Sequence, residues 1–275
     1  MIRFIVDSTF GLKGDYVEKF NIKVVPLKIT LDGETMNGTE ENWERFYDKL
    51  SESKDFPMTS QPSPLDWEDA VNQVLSEDAD AEIIIMTIAS QLSGTNNSAN
   101  LAGKSFADKK VTVIDSKSAC LGETVLLEEC VEMAENGKSY EEILDAIPTL
   151  ISKIKQQFVP QTLEYLKRGG RVGKLSAIVA NTLHIKPIFV YDNNSVTVTK
   201  KVFGMTKAIS EMVAALPQKI KRCYVCYIKD NSLVQAICDK IKAVTGFEKP
   251  IVACVDPVFG SHGGIGAVGI ATLEG

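Results

Sequence analysis

Apolar and polar positions alternate along this chain with a period that changes repeatedly at Gly, Pro and Asn, dividing it into strands and helices. Met1 to Val6 is a short apolar strand ending in Asp7-Ser8-Thr9, and Ile22 to Leu31 is a second extended pattern. Glu40 to Leu50 has helical spacing with acids in its first turn. Ser63 as N-cap, Pro64 at the first helical position and Asp66 three residues after the cap predict the start of a helix carrying Trp67, Ala70 and Val74. Thr59 and Ser60 are left upstream as a hydroxyl pair in a loop. Ile83 opens an unbroken apolar run, the pattern of a strand buried on both faces of a parallel sheet. A polar loop with Ser90, Ser93, Gly94, Thr95 and Ser98 follows, then a helical pattern through Ala107. Val111 to Ile114 is another strand, ending in Asp115-Ser116. Helical patterns over Leu121 to Glu135 and Tyr140 to Gln156 break at Asn136-Gly137.

Near Phe158 the texture changes, which predicts two α/β domains, 1–157 and 158–275. Leu163 to Arg168 is a short amphipathic helix stopped by Gly169-Gly170. Ile185 to Tyr191 and Ser195 to Val202 read as a hairpin across Asn193-Asn194. Helix Met205 to Leu216, strand Tyr224 to Ile228, helix Ser232 to Val244 and strand Ile251 to Val255 come next. A glycine-rich loop from Gly260 to Gly269 leads into a final strand.

The length of 275 residues suits one large or two ordinary domains. A formal charge of -6 argues against nucleic-acid or membrane-surface binding, which call for a basic face, and favours a small-molecule ligand or a protein partner. No apolar stretch reaches the roughly 18 residues of a membrane span, and the run before Asp7 is too short for a signal peptide. A cytoplasmic location is the expectation. Cys223 and Cys226 lie three apart on one strand and so point to opposite faces, which argues against a shared metal.

A strand feeding a Ser-Gly-Thr loop that opens a helix offers free backbone N–H groups and short hydroxyls to an anionic head group. The same residues can also simply cap a helix. Lys167, Arg168, Arg171 and Lys174 form the densest basic cluster, suited equally to an anion and to a helix C-terminus. Gly264-x-Gly266-x-x-Gly269 has dinucleotide spacing but precedes a strand, and Gly169 to Lys174 lacks the spacing and hydroxyl of a phosphate loop. His262 reads either as a loop histidine bonded to nearby backbone or as a site residue, with flanking glycines that let a ligand approach. His184 reads as structural.

Eight motifs in order carry a resemblance. They are Asp7-Ser8-Thr9, Val25-Pro26-Leu27, Thr59-Ser60-Gln61-Pro62-Ser63, Leu92-Ser93-Gly94-Thr95, Ile114-Asp115-Ser116, Tyr165 to Arg171, Ile185-Lys186-Pro187-Ile188 and His262-x-Gly264-x-Gly266-Ala267. Together the chain resembles the DegV family over essentially its whole length. The resemblance implies a two-domain α/β fold, with an N-terminal parallel sheet, a C-terminal mixed sheet and a tunnel between the domains for one long-chain fatty acid of C14 to C18. It implies no cofactor, no metal and no chemistry of the protein's own, and a role in lipid transport or in presenting lipid to a separate fatty acid kinase. Thr59 and Ser93 would bond the carboxylate, with Ser60, Gly94 and Thr95 beside them. Arg171 and His262 would lie at the polar mouth; as cations there, on electrostatic grounds, they would stabilise the charge that gathers during phosphoryl transfer. Ile265 and Phe203 depart from the proline and arginine usual in the family, the latter on the surface expected to face a kinase. The other reading is a hydrolase or phosphotransferase acting on an acyl or phosphorylated substrate, with His262 as acid or base.

Overall fold

The computed structural model describes residues 1–171, 185–192 and 195–275. The chain begins with β1 (Ile2–Asp7), α1 (Gly14–Lys19), β2 (Lys23–Val25), β3 (Lys28–Leu31), β4 (Glu34–Asn37), α2 (Trp43–Glu52), β5 (Met58–Ser60) and α3 (Pro64–Glu77). It continues through β6 (Glu82–Thr87), α4 (Thr95–Gly103), β7 (Val111–Asp115), α5 (Leu121–Glu135) and α6 (Tyr140–Lys153). Then come β8 (Ile154–Val159), α7 (Glu164–Arg168), β9 (Ile185–Asp192), β10 (Ser195–Phe203) and α8 (Met205–Ala214). The chain closes with β11 (Ile220–Tyr227), α9 (Val234–Thr245), β12 (Ile251–Cys254), α10 (Pro257–Gly263) and β13 (Val268–Glu274).

These strands form a parallel sheet ordered β2-β1-β6-β7, a mixed sheet ordered β10-β9-β8-β13-β11-β12 and a small antiparallel sheet, β4-β3-β5. The apolar run of β6 is buried on both faces, as a central parallel strand requires. Helices α3 and α4 cover one face of the parallel sheet through Trp67, Val71 and Ala99, while α8 and α9 cover the outer face of the mixed sheet through Met212 and Ile237. Between the two sheets runs α5, buried along its whole N-terminal half, and one core joins Phe4 and Ile84 of the first sheet to Leu126 of α5 and Leu273 of the second. A helix enclosed on both sides loses the one-sided pattern of a surface helix. Cys223 packs in the outer layer and Cys226 in the inner one, on opposite faces of β11 as their spacing predicts.

Several elements differ from the expectation: α1 and β4 have no counterpart in it, and the single extended pattern Ile22 to Leu31 divides into β2 and β3, which belong to different sheets. Thr59 and Ser60 stand in β5, paired with β3, and not in a loop. Residues 154–159 form a strand, β8, and not the end of a helix, so the expected boundary at Phe158 falls inside it. His262 stands in the last turn of a short helix, α10, started by Asp256 as N-cap and Pro257. Gly173, Lys174, His184 and the hairpin tip Asn193-Asn194 lie outside the described residues.

Candidate ligand-binding site

The loops that leave the carboxyl ends of β1 and β6 face the inner side of β8 and β9, and a narrow slot with a cavity volume of about 60 Å³ lies between them. This is the edge at which open α/β sheets present loop residues to ligands. Phe158 and Phe189, paired across β8 and β9, stack at 4.9 Å and form its floor; Phe259 of α10 meets Phe158 edge-on. Leu27, Ile88, Leu92 and Val258 complete the apolar wall.

Thr59, His262 and Arg171 stand at the end of the slot near α7. Thr59 Oγ1 lies 2.9 Å from His262 Nε2. On the other side of the ring, Nδ1 is buried with no hydrogen-bond partner, and it faces the Gly169 backbone so closely that a Cβ there would lie 2.2 Å from it. A Cβ on Gly264 would likewise lie 2.4 Å from the Tyr165 ring, so both glycines let α7 and α10 close on each other. Burial, and then the nearby Arg171 charge, push His262 down to about 4, which leaves it a neutral imidazole at physiological pH. Arg171 is exposed and donates from Nη1 to the Gly169 carbonyl at 2.6 Å. Ser93 Oγ lies 2.8 Å from Thr95 Oγ1 and accepts from the Thr95 N–H at 3.3 Å.

The sequence profile described as "Uncharacterised protein, DegV family" matches residues 1–275. The chain belongs to the DegV family. A DegV domain-containing protein of Clostridium acetobutylicum is 32% identical over 279 residues, covering 99% of each chain. Among solved structures, a DegV family protein from Thermus thermophilus, described by its fatty acid binding, superposes with a TM-score of 0.90 at 32% identity, covering 99% of both chains. A DegV family protein from Eubacterium eligens, described as loaded with heptadecanoic acid, superposes at 0.87 with 27% identity over 100% of both. The two-domain α/β architecture of this DegV chain is the one these structures share.

Of the residues expected at the site, Thr59, Ser93, Arg171 and His262 line the slot together. Ser60 does not: it neighbours Thr59 on β5, so its side chain points to the opposite face, and it is exposed. Gly94 is the N-cap residue of α4, packed against Gln61, and buried Thr95 reaches the slot only through Ser93. The expected cationic imidazole is corrected by the burial of His262, and the basic cluster divides: Arg168 pairs with Glu164 on the helix surface while Arg171 stands at the mouth.

Sequence reasoning missed a set of buried acids beneath the slot. Asp7 accepts from the Ile88 N–H at 2.7 Å and the Thr9 N–H at 2.9 Å. The hydroxyl of Thr9, which lines the slot, is bonded to Asp7 and lies 3.0 Å from Glu123 Oε2. Thr9 has one hydroxyl hydrogen, so a donor to Asp7 must accept from a protonated Glu123. Burial, and next the Asp7 charge, raise Glu123 well above the ordinary carboxyl range. Burial pushes Asp256 up to about 8 and Asp7 up to about 6. Asp7 had its signal in the Asp-Ser-Thr that ends β1. Glu123 and Asp256 had none, because a glutamate on a helix and an aspartate before proline read as solvated and capping residues.

Proposed function

We propose that this chain binds one long-chain fatty acid in the slot, its carboxylate at Thr59, Ser93 and His262 and its tail along Phe158 and Phe189. The observation that carries this reading is the gathering of Thr59, Ser93, a neutral imidazole and a guanidinium at one end of an aromatic floor. The fatty acids named for its DegV relatives support it. Each buried CH2 contributes about 0.8 kcal/mol, so a C16 tail supplies roughly 10 kcal/mol before the costs of ordering it and of widening a slot whose free volume, about 60 Å³, is less than such a tail fills; the head group adds orientation more than affinity. In the tautomer with a proton on Nε2, His262 donates to Thr59, which frees the threonine hydrogen for a carboxylate oxygen. Neutral donors suit a ligand that must also be released.

Mass spectrometry of an organic extract of the purified protein tests the reading. Stoichiometric C14 to C18 acid is expected, and protein that neither carries nor takes up such an acid would sink it. Ser93→Ala should weaken binding by about 0.5 to 3 kcal/mol, the worth of one hydrogen bond to a charged group.

Presentation of the lipid to a fatty acid kinase, in the cytoplasm, is the role that fits an exposed mouth with Arg171 beside it. A guanidinium there would stabilise the negative charge gathered during transfer of a phosphoryl group supplied by a partner. Arg171→Ala should keep its fatty acid and lose acyl-phosphate formation with a cognate kinase. His262→Ala should lose the lipid itself, because the neutral ring bonded to Thr59 belongs to the carboxylate clamp. Acid–base catalysis by His262 finds no support, since Nδ1 has no orienting carboxylate among the described residues.

A further inference from the structure

The slot has a second end, and it is not apolar. Along the inner face of the mixed sheet, Gln156 pairs with Tyr191 and Phe158 with Phe189. Residues two apart on a strand share a face and stand about 7 Å apart. The Gln156–Tyr191 pair is therefore one step farther along the floor than the stacked phenylalanines, on the side away from α7 and His262. Beyond it lies a different space, a cavity of about 490 Å³ lined by Lys117, Lys155 and three serines and, on its apolar side, by Pro148, Ile151 and Ile154. Gln156 and Tyr191 line both cavities, so two side chains are the partition between a narrow slot with an aromatic floor and a roomier space of mixed polarity.

The partition is held firmly. Gln156 is buried, and its Oε1 accepts from the Ser118 hydroxyl at 3.0 Å. The same oxygen lies against Gly122 of α5, where a Cβ would come within 2.5 Å of it. Tyr191 is buried beside Val196 of β10, its partner across the hairpin. A buried amide clamped between a hydroxyl and a helix backbone does not swing aside for a methyl group. A methyl group entering the second cavity would also meet its lysines and serines and so gain less than in the slot, since apolar stabilisation comes from leaving water.

Resting on the fatty-acid reading above, we propose that Gln156 and Tyr191 are the length stop of the acyl slot, the residues that set the longest tail the protein accepts. The carboxylate fixes one end of the ligand at Thr59 and Ser93, and the partition fixes the other. Shortening Gln156 to alanine removes its outer side-chain atoms, space for about two methylenes, and joins the slot to the second cavity.

The test offers delipidated protein an equimolar mixture of saturated acids from C12 to C22 and quantifies the bound acids by mass spectrometry. Wild-type occupancy should fall sharply above one chain length. Gln156→Ala should move that cut-off up by two carbons or more, while Gln156→Leu, which keeps the bulk of the partition, should leave it in place. Because the alanine variant also loses the Ser118 bond, Tyr191→Leu serves as a second opening variant with the same expectation. Folded opening variants that keep the wild-type cut-off overturn the length stop while leaving fatty-acid binding intact. Wild-type protein that takes up no acid of any length overturns the binding reading and this inference with it.

Discussion

At Gly169 the backbone of one element lies so close to the His262 imidazole that an added Cβ would sit 2.2 Å from Nδ1. The obstruction is a ring wedged between that backbone and Thr59, not the free end of a flexible chain. Gly169→Ala should therefore push His262 off its 2.9 Å contact with the threonine. Losing that bond costs about 1 to 2 kcal/mol of head-group stabilisation, which a titration with a fluorescent or labelled fatty acid would read as a roughly tenfold weaker Kd. Unchanged affinity would mean that the ring does not orient Thr59. Sequence alone shows Gly169 as a helix stop, since the neighbour that forbids a side chain comes from the far end of the chain. The hydroxyls of Ser93 and Thr95 were legible because their loop follows the clearest strand, whereas Thr59 was singled out only by the family resemblance; the protonation of His262 was not legible, because it follows from what covers the ring.

Short helix α10, which carries His262, shows at the next scale why some elements escape pattern reading. Its start signals, Asp256 and Pro257, are plain, but Gly260 and Gly263 in its interior read as a turn. Both glycines answer to packing: a Cβ on Gly260 would lie 2.3 Å from the Tyr47 hydroxyl, and one on Gly263 2.6 Å from Ile228. Strand β8 was hidden in a different way. Its centre holds Gln156 and Gln157, buried polar residues satisfied by Ser118 and by the Met212 carbonyl, so the apolar alternation that marks a strand is missing. Strand β5 is three residues long and exists through its pairing with β3. Long elements with periodic apolar faces were readable throughout. Gly260→Ala sets the two kinds of reasoning against each other. Helix propensity favours alanine by about 1 kcal/mol, whereas a clash with Tyr47, which is itself fixed by bonding to the Val255 carbonyl at 2.7 Å, costs typically 1 to 3 kcal/mol. The clash should win, with a net loss of stability in urea unfolding; a stabilised variant would show that α10 can shift away from Tyr47.

Over the whole molecule, the buried acids of the two halves stand close enough to raise one another's pKa. Asp7 ends β1 of the parallel sheet, Glu123 stands on the central α5, and Asp256 caps α10 beside the mixed sheet. Asp256 accepts from the Phe259 N–H through Oδ1, while its Oδ2 is buried without a partner. Burial, with the charge of Asp7 adding to it, holds its pKa at about 8 against an ordinary 3.8. The folded chain thus keeps a proton that the unfolded chain gives up near pH 4. Where the folded state binds more protons, stability falls as pH rises. The contribution of Asp256 is fully present below pH 4 and drains as the pH rises through 8, at up to about 1.4 kcal/mol for each pH unit. Asparagine caps a helix as well as aspartate does and carries no charge to bury. Asp256→Asn should therefore keep the α10 cap, show a shallower fall in stability between pH 5 and pH 8, and be the more stable protein at pH 8. Denaturant unfolding of both proteins at the two pH values checks the sign: a wild type that gains stability over this range relative to the variant would mean that Asp256 is ionised in the fold, balanced by a charge partner.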